Sequence, residues 1–146
     1  MNREGIRIDK RAKAKLSFLK ALQDNGGTLT MDEFSLFLGI SEVTADKMYR
    51  DDKVLGVEID GGILIPKFQL DQEQGTMFPE VARIMCNLKG VSSIMQYGFF
   101  VQVVDIYLSG TVRATTVQKL LLKGMTTEEL TEIIRLACIF GKQDPA

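Results

Sequence analysis

Apolar residues recur at helical spacing near the start of the chain. Ala12, Leu16 and Leu19 repeat every three or four residues between Asp9 and Gln23, which predicts an amphipathic helix. The Asp24–Gly27 segment contains two consecutive glycines after an asparagine, and such clusters interrupt regular structure. The first predicted helix therefore ends before residue 24.

A second pattern predicts two short helices joined by a tight turn. Thr30 is followed three residues later by Glu33, the spacing of a capping box that starts a helix. Gly39 is placed to end this helix, and Ser41 is placed to cap a third helix at Glu42–Arg50. Short helices connected in this way are typical of a helix-turn-helix, although they also occur in bundles that bind no DNA.

The third helix supplies the candidate DNA-binding residues. Val43 and Met48 are expected to face inward, and Ala45 is expected among the outward positions. The N-terminal residues of a recognition helix meet base edges in the major groove. The candidates for DNA contact are Ser41, Thr44, Lys47 and Arg50.

A β-hairpin is predicted directly after these helices. The segments Val54–Ile59 and Ile63–Ile65 are rich in β-prone residues and are separated by Asp60-Gly61-Gly62. Asp-Gly between two such runs is a strong signal for a hairpin turn. A helix-turn-helix followed by a hairpin suggests a winged arrangement.

The remainder of the chain reads as helical. Helices are expected at Met77–Leu88, Ser92–Tyr97, Phe99–Leu108, Thr115–Lys123 and from Thr126 to Gly141. The segment Phe99–Leu108 is the most apolar of these and is interpreted as a buried core helix. The predicted fold class is therefore mainly α, with a helix-turn-helix-like N-terminal part, a small β-hairpin and a C-terminal helical bundle.

The pattern divides the chain into two predicted domains. Residues 1–70 would form a helix-turn-helix-like, winged domain, and residues 71–146 would form a helical domain for partner binding or dimerisation. The boundary lies in the polar, unpatterned segment near Leu70–Thr76.

The composition excludes several classes of enzyme. The chain has no histidine, so a Ser-His or Cys-His centre or a histidine zinc site cannot form. The carboxylates at positions 32, 33, 128 and 129 are explained by helix starts, and no glycine-rich phosphate loop is present. Cys86 and Cys138 are expected to be inert core residues. We therefore expect no enzyme, no cofactor and no metal, with a small enzyme centred on a partly buried Asp105 as the remaining enzymatic hypothesis.

Charge is uneven along a nearly neutral chain. There are 18 basic and 19 acidic residues, yet residues 3–20 carry seven basic residues against Glu4 and Asp9. Such a basic arm is either a solvated helix or an electrostatic contact for a polyanion. The two cysteines, the absence of an apolar leader and the absence of a long apolar run favour a cytoplasmic protein.

The segment Ile65–Leu70, which reads Ile-Pro-Lys-Phe-Gln-Leu, carries a family resemblance. It resembles the segment that follows the helix-turn-helix in Xre/MbcA/ParS-type antitoxins. Downstream, Pro79-Glu80-Val81, Leu108-Ser109-Gly110, Leu120–Gly124 and Glu128-Glu129 are similar to the spacing of the same family.

The resemblance implies an antitoxin-like binding protein. Such a protein neutralises a cognate toxin by steric occlusion through its C-terminal helical domain, and regulation of its own transcription is compatible with this role. By position near the Leu-x-Gly turn, the implied partner contacts are Arg113, Thr115 and Lys119, with Lys142 in the tail. A homo-oligomer, most simply a homodimer, is expected. The alternative is a homodimeric DNA-binding transcriptional regulator with no toxin partner.

Overall fold

A computed structural model describes the backbone of residues 3–143 and the side chains of residues 10–142. Of the basic arm predicted at residues 3–20, the side chains of residues 3–9 lie outside this described part. No helix within the described residues is both long enough and apolar enough to cross a membrane.

The N-terminal half forms a winged helix. Its elements are α1 (Arg3–Asp24), β1 (Thr28–Thr30), α2 (Met31–Leu38), α3 (Glu42–Arg50), β2 (Val57–Ile59) and β3 (Gly62–Pro66). The three strands make one antiparallel sheet in the order β1-β3-β2, in which Leu29 lies opposite Ile65 and Val57 opposite Leu64. The hairpin closes through Asp60 and Gly61, both at positive φ, as the Asp-Gly signal predicts.

The C-terminal half alternates short strands and helices. A 3-10 turn (Lys67–Gln69) leads to β4 (Leu70–Asp71), β5 (Thr76–Met77), α4 (Glu80–Met85), α5 (Ser93–Val101), β6 (Val104–Leu108), β7 (Thr111–Thr115), α6 (Val117–Lys123) and α7 (Thr127–Gln143). The pairs β4–β5 and β6–β7 are separate two-stranded antiparallel sheets.

The predicted fold class, mainly α with a C-terminal helical bundle, is therefore wrong, because residues 3–143 are mixed α/β and contain three small antiparallel sheets. The decisive difference lies at Phe99–Leu108. Helix α5 ends at Val101, Gln102 is extended, and β6 pairs with β7 so that Ile106 lies opposite Arg113. Ser109 and Gly110 both have positive φ and form the two-residue turn that joins right-twisted strands.

Two further expectations from the sequence are corrected. Asp105 is exposed, because alternate residues of β6 face opposite sides and Ile106 takes the buried position. Gly141 does not end the last helix, since α7 continues to Gln143. A Cβ atom at position 141 would lie 2.7 Å from the carbonyl oxygen of Asn87, so this glycine permits a close approach between chain segments.

The larger of two apolar clusters contains residues from both halves of the chain. Leu22, Leu55 and Phe68 belong to the same buried cluster as Phe100 and Ile133. A smaller cluster lies beneath the helix-turn-helix and contains Phe34, Ala45, Val54, Ile65 and Leu70. The division at residues 70 and 71 stays a prediction.

Candidate nucleic-acid interface

Helix caps fix the turn between α2 and α3. The Glu33 N–H donates to Thr30 Oγ1 at 3.2 Å, and the Thr30 N–H donates to Glu33 Oε1 at 2.9 Å, which completes the predicted capping box. Gly39 adopts the left-handed conformation (φ 69°) that ends α2. The Thr44 N–H then donates to Ser41 Oγ at 3.1 Å and starts α3. These local bonds set the angle at which α3 leaves the domain.

The inner face of α3 differs from the face that the sequence predicted. Ala45, expected to point outward, is fully buried against the small cluster beneath the helices. Val43, expected to point inward, is 77% exposed. Ala45 lies two residues from Val43, about 200° around the helix, so burial of one places the other in solvent.

The outer face of α3 presents one stripe of exposed side chains. Val43, Lys47 and Arg50 follow each other at spacings of four and three residues, which places them on the same face. Lys47 forms no ion pair with any described side chain, whereas Arg50 Nε pairs with Asp46 Oδ2 at 2.9 Å. The stripe therefore has an apolar N-terminal end and a cationic C-terminal end.

The four predicted DNA-binding residues are all exposed, but they differ in their hydrogen bonds. Ser41 and Thr44 are joined through their hydroxyl groups at 2.9 Å, and Ser41 also caps the helix. Lys47 and Arg50 provide the cationic part of the stripe. Val43 was missed as a candidate because its apolar character suggested a core position.

Acidic side chains lie beside the N-terminal end of α3. Hydrogen bonding to the Asp32 carboxyl, together with repulsion between the two groups, raises the pKa of Glu42 above its ordinary value. Carboxylates in this position repel DNA phosphates. This end of α3 is therefore unfavourable for contact with a phosphate backbone.

The β2–β3 hairpin, called the wing below, is bonded to two neighbouring helices, α3 and α1. The Tyr49 hydroxyl donates to Glu58 Oε1 at 2.7 Å, and burial followed by this bond raises the pKa of Tyr49 to about 12. Lys15 of α1 pairs with Asp60 at the tip of the wing. The wing tip is acidic and paired with α1, so it does not supply a cation to DNA.

The predicted partner-binding residues are spread over three elements. Arg113 and Thr115 lie on β7, Lys119 is exposed on α6, and Lys142 is exposed near the end of α7. Within the described residues, no hydrogen bond or ion pair joins any two of them. Thr115 is half-buried.

Arg113 is one of two half-exposed cations that pair with a buried carboxylate. Its Nη2 lies 2.5 Å from Glu129 Oε2, and Lys123 Nζ lies 2.9 Å from Glu129 Oε1, while Glu129 is only 3% exposed. Burial by itself would raise the pKa of Glu129, but the Thr126 N–H and the two cations outweigh it and lower the pKa to about 2. The sequence explained this acid as a helix cap, which is correct, but gave no sign of its burial.

The β6–β7 hairpin is hydrogen-bonded to α7 and also presents side chains to solvent. The Tyr107 N–H donates to Glu132 Oε2 at 2.8 Å, and Arg135 holds the same carboxylate. The side chains of Tyr107 (62% exposed) and Val112 (56% exposed) form a directly opposed pair in solvent. A groove of about 400 Å³ between the hairpin and α7 adjoins Tyr107. The sequence missed this surface because it assigned Phe99–Leu108 to a helix.

The two cysteines are not part of the surfaces described above. Cys86 is exposed in a cleft of about 550 Å³ beside the end of α3, contrary to its expected core position. The Cys138 thiol donates to Asn87 Oδ1 at 3.0 Å. No three His, Cys, Asp or Glu side chains among the described residues are placed to hold a metal ion.

Comparison with known proteins gives a match of fold. No protein-family model matches the chain, and no curated protein matches it. Among solved structures it is similar to the NMR structure of Rv2175c, with a TM-score of 0.57 and 16% sequence identity. The match covers 78% of this chain and 80% of that chain. At this identity the likeness shows a shared fold alone.

Proposed function

We propose that this chain is a DNA-binding transcriptional regulator that inserts α3 of its winged helix into the major groove. The observation that carries the proposal is the exposed stripe of Val43, Lys47 and Arg50 on a helix whose opposite face is buried. A recognition helix needs this division, because one face must be fixed to the domain while the other meets bases.

The basic face of α1 supports the same proposal. Lys10 and Lys20 are exposed on the same side of α1, about 80° apart around the helix, while Phe18 and Leu22 turn toward the core. Cations that contact phosphates release counterions and supply sequence-independent affinity. In this proposal, the cations of α1 attract the DNA phosphates, which the acidic start of α3 and the acidic wing do not.

Salt-dependent binding to duplex DNA tests this function. Fluorescence anisotropy with a labelled duplex from the upstream region of the gene should show binding that weakens steeply between about 50 and 200 mM salt. Lys47→Ala should lower the affinity and reduce the salt slope by about one ion. Lys119→Ala, an exposed lysine on α6, is the matched control and should leave both values unchanged. The proposal would be contradicted by no binding at the lowest salt concentration, or by binding that does not weaken as salt is added.

A second candidate function is antitoxin-like neutralisation of a partner protein. It is supported by the exposed Tyr107–Val112 pair, which lies on the hairpin that also carries Arg113. Adjacent exposed apolar side chains on a small sheet are typical of a surface that another protein covers. In this role the hairpin and the adjoining groove would contact the toxin.

Co-purification with the product of the neighbouring gene tests the second candidate. A stable complex on a sizing column is expected, and Tyr107→Ser together with Val112→Ser should weaken it. Leu122→Ser, which changes an exposed apolar residue of α6, should have no effect. Two proteins that elute separately would count against this role, and the elution volume of the chain alone reports whether it is a homodimer.

A further inference from the structure

Val43 is an exposed apolar residue that the fold does not require. It occupies the second position of α3, is 77% exposed, and belongs to neither apolar cluster. Valine is also a poorer helix former than alanine, because its branched side chain loses rotamer freedom in a helix. Neither packing nor helix propensity therefore accounts for valine at this position.

We infer that Val43 is a specificity-determining residue that contacts the 5-methyl group of a thymine. The inference rests on the proposed DNA-binding function and names what its helix reads. The thymine methyl group is the apolar feature that a base pair presents in the major groove, and small apolar side chains recognise it. Val43 lies in the first turn of α3, where side chains of a docked recognition helix reach base edges.

The neighbours of Val43 favour a base over a phosphate as its contact. Glu42, immediately before it, is an acid that repels the backbone, and Lys47 follows one turn later on the same face. A helix that enters the groove with its N-terminal end therefore brings Val43 to the bases and Lys47 toward the edge of the groove. At this end of the stripe, an apolar side chain can therefore contact an apolar group on a base.

Replacement of thymine by deoxyuridine tests the contact, because it removes the methyl group and leaves the base pair intact. A duplex is first selected from a random library with the wild-type chain, and each thymine is then replaced singly. At one or more thymines of the selected duplex, the wild type should lose about three- to fivefold in affinity, the value of one buried methyl group. Val43→Ala, which removes both Cγ methyl groups and shortens the reach of the side chain, should show a smaller preference for thymine than the wild type at the same positions.

Val103→Ala is the matched control, since it truncates an exposed valine (71% exposed) between α5 and β6, away from both proposed binding surfaces. It should retain the wild-type preference for thymine. Val43→Thr preserves the shape of the side chain and one methyl group, so it should retain part of the preference for thymine. It provides a second test of the contact if the alanine variant folds poorly. Circular dichroism melting checks that all variants are folded.

The outcomes separate this inference from the proposed function. Duplex binding without a deoxyuridine effect at any thymine would overturn the role of Val43 while leaving DNA binding intact. The same effect in Val43→Ala as in the wild type would also overturn it, and would indicate that another surface, such as exposed Leu36 on α2, contacts the methyl group. Failure to select any duplex would refute the proposed function itself.

Discussion

The side chain of Gln69 pairs with both backbone polar groups of Leu55. The Leu55 N–H donates to Gln69 Oε1 at 2.9 Å, and Gln69 Nε2 donates to the Leu55 carbonyl oxygen at 2.8 Å. Both residues are fully buried, and Nε2 also donates to the Pro66 carbonyl oxygen at 3.1 Å. Gln69 therefore completes the hydrogen bonds of a buried segment that has no neighbouring strand at this point.

Replacement of Gln69 by leucine should destabilise the fold strongly. The substitution conserves most of the volume but leaves the N–H and C=O groups of Leu55 buried and unpaired, at a cost of about 2–4 kcal/mol. Urea denaturation followed by circular dichroism measures the loss. Gln72→Leu, in the exposed turn after β4, is the control and should change stability by less than about 0.5 kcal/mol. Equal stability of the two variants would refute the structural role of Gln69.

Replacement of Gly56 by alanine should destabilise the junction between α3 and the wing. A Cβ atom there would lie 2.7 Å from Tyr49 Cε1 and 2.9 Å from Ile63 Cγ2, both in packed side chains. Overpacking of this kind costs about 1–3 kcal/mol. Gly98→Ala, inside α5 with no atom within 4 Å of the new Cβ, should instead stabilise by about 0.5–1 kcal/mol. Melting temperatures that shift in the same direction would contradict this prediction.

Glu129→Gln should remove a pH-dependent part of the stability. The pKa of Glu129 is about 2 in the folded chain, below its ordinary value of 4.5, so the unfolded chain is protonated first as the pH falls. The contribution of the charged form is therefore complete above about pH 4.5 and is lost toward pH 2. At pH 7 the variant should be less stable by about 1–3 kcal/mol, because bonds to a charged acceptor are lost.

The difference between wild type and Glu129→Gln should narrow as the pH decreases from 4.5 toward 2. Urea denaturation at pH 7, 4 and 3 measures this trend. Glu128→Gln changes the exposed neighbouring acid and should leave the pH profile close to that of the wild type. A constant difference at all three values would show that Glu129 does not act through its charge.

The two cysteines should react at different rates with a thiol reagent. Cys86 is exposed, whereas Cys138 is partly buried and its thiol donates to Asn87. Titration of the folded chain with Ellman's reagent should therefore show one fast and one slow thiol. Cys86→Ser should abolish the fast phase, and Cys138→Ser should abolish the slow phase. Two equally slow thiols would indicate that Cys86 is covered in solution, for instance by a second copy of the chain.

Local sequence signals were sufficient to predict the helix caps and the hairpin turn of the N-terminal half. The caps at Thr30 and Ser41 and the Asp60-Gly61 turn depend on side-chain and backbone groups only a few residues apart, and all form as the sequence predicts. The same holds for the cap at Thr126, whose hydroxyl accepts the Glu129 N–H. Bonds of this kind need no information from distant parts of the chain.

The apolar run from Phe99 to Leu108 shows where such reasoning failed. A short apolar run fits a buried helix or a strand equally well, and its state depends on what lies beside it. Here Glu132, 25 residues later, accepts the Tyr107 N–H, and β7 supplies the remaining partners of β6. The helical interpretation placed Asp105 inside, whereas pairing with β7 places it in solvent.

The sequence by itself determined the helix caps at Thr30, Ser41 and Thr126, the Asp60-Gly61 hairpin turn and the exclusion of histidine chemistry, because each depends on residue types at short spacing. Tertiary structure alone decided that Val43 faces solvent, that Glu129 is buried between Arg113 and Lys123, and that the C-terminal half contains a hairpin. These features depend on which surfaces meet when the chain folds. Burial is a property of the folded chain as a whole, and residue type sets only the cost of placing a group inside or outside.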